Sequence, residues 1–172
     1  MLNVETIEIN QLTAISTVRG IDIYSTTCDE FMALGGAGAT RVTGSDDPAI
    51  YAIAHVLSDP EDYEDVVCIH ESLLSALGAD TVDFIIQHEI AHIELGHMER
   101  FFDIAIEDRL NVALADHSLN EITADALAFT RCSRKASEGA IVLLQMSLSI
   151  ANPYNPWLVK DRIEQLTRLL AE

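Results

Sequence analysis

The stretch from Gly78 to Gly96 constrains this chain more than any other, because it reads as one apolar helix that carries His88, Glu89 and His92. Val82, Ile85, Ile86, Ile90, Ile93 and Leu95 give it the surface of a buried central helix. Gly78-Ala79-Asp80-Thr81 opens it, with Asp80 or Thr81 as the candidate N-cap and Asp83 in the first turn. Polar side chains set in such a surface must find hydrogen-bond partners or bind a metal. His88 and His92 stand four residues apart, about 40° around the axis at ~3.6 residues per turn, so both rings share one face. That spacing suits joint ligation of one Zn2+, with Glu89 beside the metal as base for its water.

A peptidase zinc usually takes about three protein ligands and a water, so the two histidines need a third partner. His97 and Glu121 are the candidates. His97 follows His88 by nine residues, half a turn away from the ligand face, and would reach a metal only if the chain turned sharply at Gly96. Leu95 and Met98 stand where the metzincin pattern requires Gly and His. Gly96-His97 therefore reads as the end of the helix, with an imidazole near the negative end of its dipole. Glu121 is the better candidate. It pairs with Asp125 at i, i+4 inside a largely apolar segment that includes Ile122, Ala124, Ala126, Leu127 and Phe129. Glu121 can ligate the metal, while Asp125 can accept the second N–H of a ligand histidine and fix its tautomer.

A length of 172 residues fits one domain, residues 1–172, that buries ~70% of its unfolded surface. The formal net charge of −18, with ten Lys and Arg, argues against nucleic acid and anionic membrane surfaces as partners. It reads instead as solubility and self-repulsion. The first residues show no basic or apolar leader, and no apolar run approaches the ~20 residues that span a bilayer. Cys28, Cys68 and Cys132 are odd in number and widely spaced, which suggests reduced thiols and a cytoplasmic setting.

Residues 1–78 read mainly as strands and turns, and residues 79–172 as the helical part. Ile21-Asp22-Ile23-Tyr24 alternates as a strand does, Ala49 to Val56 is an apolar run, and Asp65 to His70 reads as a strand leading to the motif helix. Gly35-Gly36-Ala37-Gly38 is a flexible turn and no nucleotide loop, since Arg41 stands where a third glycine belongs. Ser58 to Asp62 is an acidic turn. A second helix is expected from Ser118 through Phe129, and a third from Ser137 to Ile150, broken by Asn152-Pro153-Tyr154-Asn155-Pro156. The last helix carries Val159, Ile163, Leu166 and Leu170 at helical spacing. Trp157 is expected as a core or turn anchor, and His55 and His70 as ordinary strand histidines. The fold class is α+β.

His88-Glu89-xx-His92 followed by Glu121-xx-Ala124-Asp125 resembles the gluzincin metallopeptidases. The short loop between motifs is similar to that of the ImmA/IrrE-type and minigluzincin peptidases, and to the phage-exclusion (Lit-type) peptidase in motif style. The ExxAD wording, with Asn155-Pro156 before Asp161-Arg162-Ile163, is closer to the Ste24/HtpX-type core. The resemblance covers about residues 80 to 170. It implies a small N-terminal sheet packed on a helical zincin-like core with the HExxH motif on a central helix. It further implies His88, His92 and Glu121 as zinc ligands, Glu89 as general base, Asp125 behind a ligand histidine, and a peptide or protein substrate. In such families the strand before the motif helix often pairs with an extended peptide, here Val66 to Glu71. Transition-state stabilisation would fall to His117 or Tyr154. A regulatory zinc-binding module that cleaves nothing is the alternative, and the intact Glu89 argues against it.

Overall fold

The computed structural model describes residues 14–27, 55–56, 65–97, 109–149 and 156–172, with backbone alone at 55–56, 72 and 109–117. The turn at Gly35–Gly38, residues 49–54, the acidic turn at 58–62, Cys28, Met98 and Tyr154 lie outside the described residues. Described strands precede described helices, as expected of an α+β chain. The chain divides into two compact units, residues 1–77 and 78–172.

The first unit holds β1 (Ala14–Val18), β2 (Ile21–Thr26), β3 (His55–Val56), β4 (Val66–His70) and α1 (Glu71–Ala76). The sheet order is β1-β2-β4-β3. Val18 pairs with Ile21 across a two-residue turn, and both turn residues, Arg19 and Gly20, have positive φ, 54° and 84°. That is the backbone of a primed hairpin turn, whose twist matches the flanking strands. Thr17 Oγ1 donates to Asp22 Oδ1 at 2.6 Å across the same pair, a local cross-strand contact. Ile21 and Ile23 point into the core, with the alternating Asp22 and Tyr24 half-buried, which matches the alternation of the sequence.

All five residues of β4 are buried, as befits a strand paired on both sides. It runs parallel to β2 and antiparallel to β3, with His55 opposite Cys68 and Val56 opposite Val67. This corrects the expectation that Val66 to Glu71 offers an edge to a peptide: among the described residues β4 is interior, and Glu71 already belongs to α1. The strand also does not run directly into the motif helix. Here α1 intervenes, with Leu73 buried and Ser75 Oγ donating to Glu71 O at 2.8 Å.

The second unit is built from α2 (Ala79–Glu94), α3 (Arg109–Arg131), α4 (Arg134–Leu148) and α5 (Pro156–Ala171). Helix α2 packs on α3 and α4, and α5 closes against the same two. Their shared core joins Phe84, Ala128, Ala136, Ala140 and Leu166, with Phe129, Ile141, Leu144 and Leu169 around it. The alanines let helices approach closely. At Gly139 α4 comes close to α2, since a Cβ there would lie 2.1 Å from Thr81 Oγ1.

Helix α2 begins after Gly78, which offers no side-chain cap, so Asp80 and Thr81 lie inside its first turn and are not caps. Asp80 instead accepts from Lys135 Nζ at 2.5 Å. Its other end is as expected: Leu95 closes the helix and Gly96 adopts φ 64°, the left-handed conformation in which glycine ends helices. Helix α3 starts nine residues before Ser118, because a serine is a weak signal when the chain on both sides favours helix. Helix α4 starts three residues earlier than expected, on Ser133, whose hydroxyl accepts from Ala136 N. In α5, Leu158 and Leu166 are buried, while Trp157 is 51% exposed and so is no core anchor. Among the described residues no helix is long and apolar enough to cross a membrane. Cys68 and Cys132 are free thiols. Burial pushes both up to about 12, helped at Cys132 by Asp83.

Candidate active site

Three helices of the second unit supply the polar centre. Helix α2 brings His88, Glu89 and His92, α3 brings Glu121, Thr123 and Asp125, and α5 brings Arg162. Because one face of α2 is buried, with Phe84, Ile90 and Ala91 almost inaccessible, its two histidines are held between neighbouring helices rather than in water.

The Nε2 atoms of His88 and His92 lie 3.1 Å apart. Glu121 spans them, with Oε2 at 3.4 Å from the first and Oε1 at 3.4 Å from the second. These three side chains form the metal-compatible cluster among the described residues, their ligand atoms all within 4.8 Å of one another. Glu89 Oε1 stands 4.0 Å from His88 Nε2. His97 is absent from the cluster, although the chain does turn at Gly96. The turn carries its ring to the back of His92, where the two Nδ1 atoms are 2.8 Å apart.

Behind His88, Nδ1 lies 2.8 Å from Asp125 Oδ1, a close charge contact that falls short of a well-aligned hydrogen bond. Asp125 is fully buried and accepts from Arg162 Nε at 2.7 Å and from a terminal guanidinium nitrogen at 2.9 Å. The other terminal nitrogen reaches Glu121 Oε2 at 2.7 Å. One arginine thus holds both carboxylates of α3, a fork geometry that a lysine would not reproduce. Its only trace in the sequence was the Asp161-Arg162-Ile163 segment, which suggested no partner. His117 stands on α3 four residues before Glu121.

The electrostatics follow from this crowding. Burial alone would raise Glu121, but Arg162 and the two histidines hold it well below the usual carboxylate range. Asp125 is lowered in the same way, by Arg162 and His88 against burial. Burial would lower His88, yet Asp125 overrides it and, with Arg162 opposing, the imidazole is pushed up to about 10. Glu89 is raised, chiefly by burial. When ionised, Glu89, Glu121 and Asp125 against Arg162 leave a formal charge of −2 around two imidazoles. Converging lone pairs with excess negative charge fit a divalent cation, and the strong proton affinity of His88 reflects the same demand for positive charge.

No curated protein and no solved structure matches the chain. The model of one protein family, described as peptidase family M48, matches residues 27–160, most of the 172. With two histidines and a glutamate gathered at one buried centre, the match identifies the chain as a member of peptidase family M48, a family of zinc metallopeptidases.

Proposed function

We propose that the chain is a zinc-dependent endopeptidase that hydrolyses peptide bonds in peptide or protein substrates at the His88–His92–Glu121 cluster. One observation carries this reading: the three ligand atoms converge within 4.8 Å with the Glu89 carboxylate beside them. His88, His92 and Glu121 are the ligands, and bound zinc would lower the pKa of a water toward ~7 and polarise the scissile carbonyl. Glu89 would take a proton from the attacking water on its carboxylate and pass it to the amide nitrogen that leaves as the C–N bond breaks. Burial, which raises Glu89, suits a group that must hold that proton and then release it. Asp125 orients His88. Arg162 keeps Glu121 and Asp125 ionised and in place. His117 or Tyr154 is the proposed stabiliser of the tetrahedral oxyanion.

Within the family, the ExxAD wording at Glu121–Asp125 and the Arg162-Ile163 pair after Pro156 favour a core of Ste24/HtpX type over the ImmA/IrrE or minigluzincin types. The family match runs through both compact units, which supports one peptidase domain. Free thiols at Cys68 and Cys132 support a cytoplasmic setting.

Glu89→Gln tests the reading. Hydrolysis of an unfolded protein substrate should fall about 100- to 10,000-fold while one zinc per chain is retained. Retained hydrolysis, or a wild-type protein with far less than one zinc per chain, would sink it. A wild-type protein that holds zinc but cleaves nothing would favour the regulatory zinc module.

A further inference from the structure

We infer that His97 and Thr123 are positioning residues for His92, forming a directed hydrogen-bond chain that leaves Nε2 of His92 bare for metal. The inference rests on the zinc reading above and adds residues to it. Three contacts make up the chain. His92 Nδ1 and His97 Nδ1 are 2.8 Å apart. His97 Nε2 is 3.3 Å from Thr123 Oγ1. Thr123 Oγ1 lies 2.9 Å from Leu119 O and 3.0 Å from Asn120 O.

The direction of the chain is set at its far end. Backbone carbonyls only accept, so the Thr123 hydroxyl is the donor in its contacts with Leu119 and Asn120. Its lone pairs then accept from His97, which places the His97 proton on Nε2 and leaves Nδ1 as an acceptor. That acceptor requires a proton on Nδ1 of His92. A neutral imidazole protonated at Nδ1 has a free lone pair at Nε2, the atom that faces His88 and Glu121.

Local structure supports the arrangement. The left-handed Gly96 brings the His97 ring back against His92 at a centroid distance of 4.9 Å and an interplanar angle of 71°. His97 is 7% exposed, so water competes little for its nitrogens. Thr123 sits two residues after Glu121 on α3. The chain therefore links the histidine helix to the glutamate helix by a route independent of Arg162.

The test uses the full-length protein and zinc itself, with affinity read by competition against a chelator. Thr123→Val, which keeps the shape and removes the hydroxyl, should weaken zinc about tenfold, and Thr123→Ser should restore it. His97→Ala should cost about 10- to 100-fold, with partial recovery in His97→Asn, whose side-chain oxygen can take the place of Nδ1. Long-range 1H–15N spectra of the zinc-loaded protein should show His97 protonated at Nε2, a signature that packing alone does not produce. Wild-type affinity in Thr123→Val, no rescue by serine or asparagine, or His97 protonated at Nδ1 overturns the inference. A wild-type protein that takes up no zinc overturns the zinc reading itself, and this inference with it.

Discussion

The two histidines of α2 are backed by opposite chemistries. Behind His88 stands a charged arm, in which fully buried Asp125 is gripped by Arg162, itself bonded to Glu121. Behind His92 stands an uncharged arm, in which His97 leads through Thr123 to backbone carbonyls. Both occupy the outer nitrogen of a ring whose inner nitrogen faces Glu121. The charged arm sets the electrostatic appetite of the centre and lifts His88 to about 10. The uncharged arm can set only where a proton sits. The contrast teaches that a pair of imidazoles can be oriented from behind by charge or by hydrogen-bond direction, and that the two should differ in how strongly they couple to stability and to pH.

The largest difference should appear on removing Arg162. Its loss leaves Glu121 and Asp125 buried side by side without their guanidinium, and breaking a buried charge network of this kind costs about 3–5 kcal/mol. Arg162→Ala should therefore lower metal-free stability by that amount in denaturant unfolding, with a smaller loss when zinc is saturating, because a bound dication supplies part of the missing charge. Thr123→Val, which removes a hydroxyl and leaves no charge stranded, should cost far less. Equal losses in the two variants would erase the distinction between the arms.

The pH dependence should separate the arms next. His88 is raised, so its contribution to stability is fully present below its unfolded value of ~6.5 and disappears as pH climbs through about 10. Glu121 and Asp125 are lowered, so theirs is present above ordinary carboxylate values of ~4 and disappears as pH falls below them. The Tm of the metal-free protein should accordingly peak between those limits and drop by several degrees toward pH 10. The zinc-loaded protein should keep its alkaline stability, because His88 as a ligand is a neutral imidazole with no imidazolium proton to lose. Asp125→Asn should flatten the alkaline fall, whereas Thr123→Val should leave its shape unchanged. A Thr123→Val profile that flattens as much as that of Asp125→Asn would break the comparison.

What was legible in the sequence follows the same division. His88, Glu89 and His92 lie within one turn of helix, as Glu121 and Asp125 do on another, so period alone shows which side chains share a face. Arg162 reaches its carboxylates over separations of 37 and 41 residues, and no local periodicity encodes that contact. The helix end before His97 was readable because a glycine just past the last turn favours the left-handed conformation. Where that turn sends the ring depends on what α3 offers it, and Thr123, an ordinary mid-helix threonine by sequence, gave no sign of doing so. In the first unit the alternation at Ile21–Tyr24 was local and plain. The parallel pairing of β4 with β2 joins residues 44 apart in register, Asp22 with Val66 among them, and so the interior position of β4 could not be read from its composition. A fully apolar run fits an edge or a centre equally until its neighbours are known.

The smallest of these effects isolates the turn that builds the uncharged arm. Gly96 has φ 64°, where an L side chain costs about 1–2 kcal/mol. Gly96→Ala should lower stability by about that much, less than Arg162→Ala, and should also weaken zinc by displacing His97 from Nδ1 of His92. Gly96→Asn, which tolerates the left-handed region better, should recover much of both. Unfolding midpoints and zinc competition on the same samples give the two readouts. Stability loss in Gly96→Ala with unchanged zinc affinity would mean that the turn only ends the helix. Loss of both, with joint recovery in Gly96→Asn, would mean that the helix end aims His97 at His92. The charged arm supplies the control: Asp125 and Arg162 lie on α3 and α5, remote in sequence from Gly96, so the alkaline fall set by His88 should persist in Gly96→Ala.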